Sequence, residues 1–498
     1  MSIVVVARHV GLEFSNGRKL LNDVSLSLEA RRIALVGPNG VGKTTLAQLL
    51  AGELAPTRGE IRRHAPVRLF AQRQEPCPIA VEDFAPHDTC ASVLRNELLE
   101  NTRPDALCTH LSGGQWTRVR LAQVLDAGFL ILDEPTNDLD RRGRDIVLRF
   151  LRSHSSGMLL ISHDREALET CEEVLELSSN GLAKFGGGWS EYLHESRRER
   201  ERLAAVLDQA KRARRTAIAA GIRQQERHEK RSRRGRESAS RGGTPRIVLG
   251  GRGSAAQVSS GNQARHSLDR SEAAVTLAQQ ALRRVKTEPV MYADFAGEEI
   301  PAQKLVAEAI GFNVRFRDWV FANDLDFCWR GNQRVALKGP NGSGKSTLLG
   351  ALKHGAGMHT RGELKRGELA ALHVDQRCNE LDDGATVLAN VVATSSRSEI
   401  QVRNALARFL FPGDTVFRTV RTLSGGERVR VALARGLLGM RTPQLMLLDE
   451  PTNNLDLVNI EFLENVVSQF RGALVVISHD SHFLDRCCLT DELSLTPR

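Results

Sequence analysis

One set of four short motifs occurs twice in this 498-residue chain, in the same order each time. The pairs are GPNGVGKTT at 37–45 and GPNGSGKST at 339–347, LSGGQ at 111–115 and LSGGE at 423–427, LDEPTNDLD at 132–140 and LDEPTNNLD at 448–456, and ISHD at 161–164 and again at 477–480. Chance does not produce eight matches in matched order. The chain therefore contains two copies of one folding unit.

The segment between the two copies has a different composition. Residues 195–288 carry 23 Lys and Arg against 10 Asp and Glu, and contain no Phe, Trp or Tyr. Their net charge of +13 exceeds the +9 of the whole chain, so the basic excess is local. Helix-forming residues dominate 195–237, Gly and Ser dominate 238–261, and helical composition returns over 268–286. We predict a basic α-helical hairpin, and domain bounds of 1–190, 191–290 and 291–498.

Each copy alternates short apolar runs with amphipathic stretches, which is typical of an α/β fold with a mostly parallel sheet flanked by helices. The apolar runs lie at 33–36, 129–132 and 158–161 in the first copy and at 335–337, 445–448 and 473–477 in the second. No run approaches 18 apolar residues, so no membrane-spanning segment is predicted. The eight cysteines form no C-x-x-C pair, which argues against a zinc site or disulfide framework and favours the cytoplasm.

The glycine-rich motif has the P-loop pattern, between a predicted strand and a predicted helix. Glycines let the backbone N–H groups turn toward phosphate oxygens at the positive end of the helix dipole. Lys43 is predicted to reach the β- and γ-phosphates, and the Thr44 hydroxyl to bind Mg²⁺. A plain strand-to-helix turn is the alternative, and the Lys-Thr or Lys-Ser ending in both copies disfavours it. The predicted ATP-binding residues are Gly37, Asn39, Gly40, Gly42, Lys43, Thr44 and Thr45, and Gly339, Asn341, Gly342, Gly344, Lys345, Ser346 and Thr347.

Two carboxylates follow one apolar run in each copy. Asp133 and Asp449 end the runs, where a carboxylate can face the metal or its water shell. Glu134 and Glu450 follow directly and are predicted to polarise a water for in-line attack on the γ-phosphorus. Simple solvation of a strand end is the alternative. The repetition downstream of a P-loop favours the catalytic interpretation.

With LSGGQ and LSGGE, the chain resembles the ATP-binding cassette (ABC) superfamily, whose signature this motif is. We call the two copies cassette 1 and cassette 2. The resemblance implies two cassettes that close head to tail in one chain, so the protein is expected to be a monomer. Each signature then covers the ATP of the other cassette. Site one then combines Lys43, Thr44, Asp133 and Glu134 with Ser424, Gly425 and Gly426, and site two combines Lys345, Ser346, Asp449 and Glu450 with Ser112, Gly113 and Gly114.

The same resemblance implies further site residues. Gln72 and Gln376 resemble the family's Q-loop residues, which sense the γ-phosphate and Mg²⁺; Gln74 is a rival for Gln72. His163 and His479 resemble the switch histidine that hydrogen-bonds the γ-phosphate. Phe14 is a candidate for stacking on adenine in site one, with a core position as the alternative. For site two, Phe316 and Trp319 are both candidates.

Over essentially its whole length the chain resembles the ABC-F family, through its two cassettes, charged linker, PTN-x-LD and LSGGER-x-R. This implies an ATPase that binds the ribosome near the tRNA exit site, directs the linker toward P-site tRNA and the peptidyl-transferase centre, and leaves after hydrolysis. Some members are translation factors and others protect ribosomes from antibiotics. The linker arginines are then expected to contact RNA phosphates, whereas taken alone they fit a solvated coiled coil equally well.

Two other classes of protein fit less well. A transporter motor needs a membrane partner, and only 69 residues separate Lys43 from Ser112 and 79 separate Lys345 from Ser424. That spacing leaves little room for a transporter-type helical subdomain, and argues against an arm inserted in cassette 1. A DNA clamp would usually bring hundreds of coiled-coil residues or zinc modules, which this sequence lacks.

Overall fold

The computed structural model describes residues 2–13, 17, 19–72, 74–85, 93–100, 102–124, 128–137, 139, 141–154, 156–178, 181–239, 269, 272–273, 275–276, 298–355, 359–376, 378–453 and 455–496. The chain divides into two compact units. One contains both cassettes, 1–190 and 289–498, and the other contains 191–288.

Cassette 1 is built on a six-stranded sheet in the order β5-β6-β7-β3-β8-β9, parallel except for β9. Every residue of β6 and β7 is buried, as expected for central strands of a sheet covered on both faces. The strands are β1 (Ile3–Glu13), β2 (Lys19–Glu29), β3 (Arg32–Val36), β4 (Arg58–Arg63), β5 (Val67–Phe70), β6 (Phe129–Asp133), β7 (Met158–Ile161), β8 (Glu173–Ser178) and β9 (Gly181–Gly186). The helices are α1 (Lys43–Ala51), α2 (Val81–Phe84), α3 (Val93–Leu99), α4 (Gly113–Val124), α5 (Arg141–Ser153) and α6 (Arg165–Leu168).

Cassette 2 repeats this plan with a five-stranded, all-parallel sheet in the order β14-β15-β16-β12-β17. Its strands are β10 (Leu305–Val314), β11 (Leu325–Arg330), β12 (Arg334–Lys338), β13 (Thr360–Arg366), β14 (Ala371–Val374), β15 (Leu445–Asp449), β16 (Ala473–Ile477) and β17 (Asp491–Ser494). Its helices, numbered after the linker helix α7, are α8 (Lys345–His354), α9 (Val387–Val392), α10 (Glu399–Leu406), α11 (Gly425–Leu437), α12 (Leu457–Gln469) and α13 (Ser481–Arg486). The prediction of two α/β cassettes in tandem is confirmed.

Each cassette also has a separate antiparallel sheet, β2-β1-β4 and β11-β10-β13, which the sequence analysis did not predict. In cassette 1 its apolar side chains join the core formed by α1 and the parallel sheet. The strands of these sheets are half-exposed, so their alternating pattern is weaker than the continuous apolar runs of the central strands.

The linker contains α7 (Trp189–Ala239), a helix of 51 residues, so the prediction of a helix over 195–237 is confirmed. Most of the predicted connector and of the predicted second helix lies outside the described residues. Residues 269, 272–273 and 275–276 of that second segment are helical. Val275 packs with Ala210 and Leu207 of α7. No helix in the described part of the chain is long and apolar enough to span a bilayer.

Candidate active sites

The first glycine-rich loop joins β3 to α1. Gly37 and Gly42 have φ angles of 146° and 107°, which favour glycine. A Cβ at Gly37 would lie 2.1 Å from the carbonyl oxygen of Leu177. Lys43 Nζ donates to the carbonyl oxygens of Gly37, at 2.6 Å, and of Pro38, at 3.2 Å. The ammonium group therefore lies beside a curled loop at the amino end of α1, an arrangement suited to phosphate.

The second loop repeats this geometry between β12 and α8. Gly339 and Gly344 have φ angles of 149° and 90°. Lys345 Nζ donates to the carbonyl oxygens of Gly339, at 2.6 Å, and of Pro340, at 3.0 Å. Both cassettes therefore contain one phosphate-binding geometry.

Asp133 and Asp449 end β6 and β15, each of which is separated by one strand from the strand that leads into the glycine-rich loop. Burial raises the pKa of Asp133, and the Thr44 hydroxyl and Lys43 oppose that rise. Burial likewise raises the pKa of Asp449, with Ser346 and Lys345 among the groups that act on it. Asp133 Oδ2 is buried without a hydrogen-bond partner among the described residues. Each aspartate therefore lies beside the hydroxyl that follows the P-loop lysine.

Glu134 and Glu450 have left-handed backbone conformations, with φ angles of 51° and 47°. A non-glycine residue holds this conformation only when its surroundings enforce it, and such strain is concentrated at functional sites. Burial raises the pKa of both carboxyl groups, that of Glu450 to about 7. Both oxygens of Glu450 are buried and lack a hydrogen-bond partner in the described structure. These carboxyl groups are suited to proton transfer rather than to a structural ion pair.

A histidine lies beside each glutamate. His163 Nε2 is 3.4 Å from Glu134 Oε1, and His479 Nε2 is 3.2 Å from Glu450 Oε1. Burial, followed by the charge of Lys43, lowers the pKa of His163, so its imidazole is neutral at physiological pH. The two cassettes therefore contain the same Glu–His pair at nearly the same separation.

Each signature motif forms the amino end of a helix, α4 or α11. Ser424 is the N-cap of α11 in a capping box: its N–H donates to Glu427 Oε2 at 2.8 Å, and the Glu427 N–H donates to Ser424 Oγ at 3.3 Å. In cassette 1, Gln115 Oε1 accepts from the N–H and the Oγ of Ser112, both at 3.0 Å. A Cβ at Gly426 would lie 2.2 Å from Asn459 Nδ2, so glycine is required there. Both helices present N–H groups at the motif.

One cavity of about 830 Å³ brings the predicted halves of site two together. The signature residues Ser112, Gly113 and Gly114 of cassette 1 line it, and so do Glu134 and His163. From cassette 2 come Asn341, Gly342, Gly344, Lys345, Ser346, Thr347, Gln376, Asp449, Glu450 and His479. The pairing of cassette 1's signature with cassette 2's P-loop is thus present in the structure.

This cavity is not lined by the predicted halves of site one, neither by Ser424, Gly425 and Gly426 nor by Lys43 and Thr44. The two cassettes meet here through Asn39, whose N–H donates to Asp456 Oδ2 at 3.2 Å. Gly37, Gly40, Gly42, Thr45 and Gly339 remain candidates through their places in the loops. Phe14 lies outside the described residues.

The residues between which the sequence left a choice have different surroundings in the structure. Gln74 is held by α4: Trp116 Nε1 donates to its carbonyl oxygen at 2.8 Å, and Arg120 Nε donates to its Oε1 at 3.1 Å. Gln72 is exposed. In cassette 2, Phe316 lines the cavity with 74% of its surface exposed. Trp319 instead lies under the guanidinium groups of Arg315 and Arg361, at 5.8 and 5.0 Å from its ring centroid.

Two arginine side chains near the cavity were missed by the motif reasoning. Arg144 donates across the cassettes to the carbonyl oxygen of His479, at 3.2 Å. Arg165 Nη1 donates to Glu464 Oε1 of cassette 2, at 2.7 Å. Neither arginine belongs to a repeated motif. The position equivalent to Arg144 holds Ile460, and the position equivalent to Arg165 holds Ser481, each 316 residues later. The signal that could have found them is that difference between otherwise matching copies.

Comparison with known proteins gives a family match. The model of the ABC transporter family matches residues 21–137 and again 322–453, half of the chain. The energy-dependent translational throttle protein EttA of Haemophilus influenzae is 29% identical, over 97% of this chain and 90% of that protein. The ribosome protection protein VmlR of Bacillus subtilis is 28% identical, over 91% of this chain and 80% of that protein.

Among solved structures, the chain is similar to the archaeal ribosome recycling factor aABCE1 in its crystal structure with the ribosomal stalk protein aP1. The TM-score is 0.61 at 17% identity, over 98% of this chain and 89% of that one. At this identity the likeness shows a shared twin-cassette fold and nothing further.

Proposed function

The chain belongs to the ABC-F family of ATP-binding cassette proteins and is an ATP hydrolase, and from this premise we propose that it binds the ribosome in an ATP-closed state and leaves after hydrolysis. Relatives named for translation and for ribosome protection support the partner. We further propose a cytoplasmic monomer with domains 1–190, 191–290 and 291–498, acting as a translation factor or in antibiotic protection.

The composite cavity is the observation that carries this proposal. Ser112 to Gly114 of cassette 1 and Lys345 and Ser346 of cassette 2 line one space, so ATP bound there contacts both cassettes. A ligand that binds only the closed arrangement stabilises it in proportion to its differential affinity. ATP is thus suited to holding the cassettes together, and its hydrolysis to releasing them. Because both cassettes contain the same motifs, we propose that ATP acts in the same way in site one.

The residues present fit Mg²⁺. Asp133 has a buried oxygen without a hydrogen-bond partner, next to the Thr44 hydroxyl, and Asp449 lies in the same way next to Ser346. Hydroxyl and carboxylate oxygens are the ligands that Mg²⁺ prefers. We propose these four residues, with Gln72 and Gln376, as the metal-site residues. When bound, Mg²⁺ neutralises charge on the β- and γ-phosphates.

The remaining roles follow from position. Lys43 and Lys345 neutralise phosphate charge, and the opposite signature donates hydrogen bonds to the γ-phosphate. Glu134 and Glu450 accept a proton from the attacking water, and His163 and His479 hydrogen-bond the γ-phosphate. We propose Phe316 for stacking on adenine in site two, because it lines the cavity with an exposed ring whereas Trp319 does not line it.

The linker helix supports an RNA partner. The second half of α7, residues 211–236, contains 11 Lys and Arg against 2 Asp and Glu, whereas residues 189–210 contain 4 against 5. The charge is therefore concentrated in a stretch of about 39 Å, at 1.5 Å per helical residue. Lys211, Arg212, Arg215, Arg223 and Arg227 are all exposed. We propose that this half contacts RNA phosphates near P-site tRNA and the peptidyl-transferase centre.

The test is co-sedimentation of the Glu134→Gln/Glu450→Gln protein with ribosomes, with and without ATP. The double substitution keeps both ATP sites and removes both bases, so the protein is expected to stay on ribosomes in ATP and to be absent from the pellet without it. The unsubstituted protein should pellet weakly in ATP because it hydrolyses and leaves. A double variant that binds ATP and does not pellet with ribosomes contradicts the proposal and favours a transporter motor with a membrane partner.

A matched pair of variants tests the linker. Arg212, Arg215 and Arg223, all changed to Gln, are expected to weaken ATP-dependent pelleting and to reduce its salt dependence by about two to three ions. The same change at Arg197, Arg198 and Arg202, exposed arginines in the first half of α7, is expected to have little effect. Equal losses from both triples would contradict a localised RNA contact.

A further inference from the structure

Arg144 reaches from one cassette to the other. It lies in the first turn of α5, directly after the acidic motif of cassette 1, and its side chain is only 11% exposed. Its Nε and Nη2 donate to the two carboxylate oxygens of Asp164, at 2.6 and 2.8 Å. Its Nη1 donates to the carbonyl oxygen of His479, at 3.2 Å. One guanidinium group thus joins the segments that follow β7 and β16.

The cassette 1 end of this connection is firmly held. Asp164 is the N-cap of α6 and accepts from the N–H groups of Glu166 and Ala167, so it is fixed whether or not Arg144 is present. A planar guanidinium bound to a carboxylate by two hydrogen bonds has little freedom of its own. Glu166, at 3.3 Å, and Asp480 also act on Arg144 and stabilise its charge. The third N–H group therefore points at His479 from a fixed position.

The cassette 2 end of this connection lies beside Glu450, the proposed general base of site two. The His479 ring is 3.2 Å from the Glu450 carboxylate, and the Glu450 N–H donates at 2.9 Å to the carbonyl oxygen of Ile477, two residues before His479. Both Glu450 oxygens are otherwise buried without a hydrogen-bond partner in the described structure. The position of the His479 peptide therefore controls the surroundings of Glu450.

Site one has no such connection through the equivalent position. Residue 460, which corresponds to Arg144 in cassette 2, is an isoleucine that is 2% exposed and has no side-chain donor. Arg144 is therefore specific to one of two otherwise matching sites.

We propose that Arg144 is a positioning residue for ATP hydrolysis in site two, acting from cassette 1 through the His479 carbonyl oxygen. The inference rests on the proposed base role of Glu450. Arg144 lines the composite cavity, but its guanidinium donors are directed at Asp164 and His479, so it fixes the peptide beside the base once the cassettes are together. Site two thereby senses the docking of cassette 1 through a contact that Ile460, at the equivalent position of cassette 2, cannot make.

The test compares Arg144→Met in two backgrounds, using single-turnover ATP hydrolysis with protein in excess. With Glu134→Gln, which leaves the site-two base intact, Arg144→Met is expected to lower the hydrolysis rate about tenfold, because misplacement by about 1 Å costs up to about 100-fold. With Glu450→Gln, the further loss should be under twofold, because the base that Arg144 positions is already absent. The ATP concentration for half-maximal rate should stay within twofold in both backgrounds, and Arg144→Lys should recover part of the rate.

The matched control is Arg165→Met, which removes another cross-cassette contact of similar burial without touching His479. Because Arg165 lies two residues after His163, it should slow the Glu450→Gln background, which reports site one, more than the Glu134→Gln background, the opposite pattern to Arg144→Met. Equal losses from Arg144→Met in the two backgrounds, or no loss, would overturn the inference while leaving the proposed function intact. If the Glu134→Gln/Glu450→Gln protein still hydrolyses ATP at the unsubstituted rate, the proposed bases are wrong and the proposed function fails first. Circular dichroism of each variant identifies any that does not fold.

Discussion

Cassette 1 and cassette 2 agree closely in their catalytic elements and differ where they touch each other. β6, α5 and the start of α6 recur as β15, α12 and the start of α13, each 316 residues later. The Glu–His pairs and P-loop lysines repeat in residue type and geometry. Across the contact, however, Arg144 corresponds to Ile460 and Arg165 to Ser481.

The difference follows from fusing two copies in one chain. In a symmetric dimer each contact residue must serve both sides of the interface, since the same patch meets itself. In one chain the two sides have separate sequences, so Arg165 can pair with Glu464 while the position equivalent to Glu464 is Leu148. Both sites need the same catalytic residues. An ion pair across the contact, in contrast, needs a cation on one cassette and an anion on the other. The two sites are therefore expected to differ in coupling rather than in chemistry.

The largest effect should come from removing the two bases separately. Glu450→Gln is expected to slow hydrolysis in site two by at least about 100-fold, the usual contribution of a general base, and Glu134→Gln to do the same in site one. Arg144 contacts the segment around His479 in site two, and its equivalent in cassette 2 is Ile460, so we expect site two to hydrolyse ATP faster. Glu450→Gln should therefore remove the larger part of steady-state turnover. Steady-state ATPase assays of the two single variants measure how much of the total turnover each site contributes. Equal shares would mean that the asymmetric contact does not affect catalysis.

The next effect concerns the stability of the cross-cassette ion pair. Arg165→Met leaves Glu464 buried, with 8% of its side chain exposed, and without its ion-pair partner, which is expected to destabilise the contact by about 3 kcal/mol. Burial already raises the pKa of Glu464, and Arg165 opposes that rise. The loss should therefore shrink as the pH falls and Glu464 takes up a proton. Thermal unfolding at pH 7.5 and pH 5.5 measures this.

The control gives both positions the residues found in the other copy. Arg165→Ser with Glu464→Leu removes both charges, so most of the lost stability should return. A double variant as unstable as Arg165→Met alone would show that packing, rather than the unpaired charge, causes the loss.

The smallest effect concerns the signature helices. Burial opposes the ionisation of Glu427, but the Arg418 side chain and the Ser424 amide outweigh it and hold its pKa below the ordinary value. A lowered pKa means that Glu427 stabilises the fold above its ordinary pKa and loses that contribution as the pH falls. Glu427→Gln is expected to cost about 1 kcal/mol at pH 7 and less toward pH 4.

Gln115 is the natural comparison, because it takes the same place in cassette 1 and does not titrate in this range. Thermal unfolding of the Glu427→Gln protein from pH 7 to pH 4 should therefore show a flatter pH dependence than that of the unsubstituted chain. If the difference in unfolding temperature between the two proteins stayed the same from pH 7 to pH 4, packing rather than the charge of Glu427 would account for the stabilisation.

Much of each site could be predicted from the sequence. Gly37, Lys43, Asp133 and Glu134 lie close to the strand ends on which they were expected, because a buried parallel strand has a continuous apolar run that fixes where its carboxyl end falls. The 51-residue helix was predictable from composition for a similar reason, since helix propensity acts on local sequence. The antiparallel sheets were not predictable in this way, because their strands are half-exposed and pair over long separations.

The sequence by itself therefore determined the two cassettes, the chemistry of each site and the charge of the linker, because each rests on short segments whose spacing and composition carry the physics. Only the tertiary structure decided which residues meet from distant parts of the chain. It joined Gln74 to Trp116, brought Phe316 rather than Trp319 to the cavity, and connected Arg144 to His479. An arginine can pair with any nearby oxygen, and which oxygen is nearby depends on how the two packed cassettes meet.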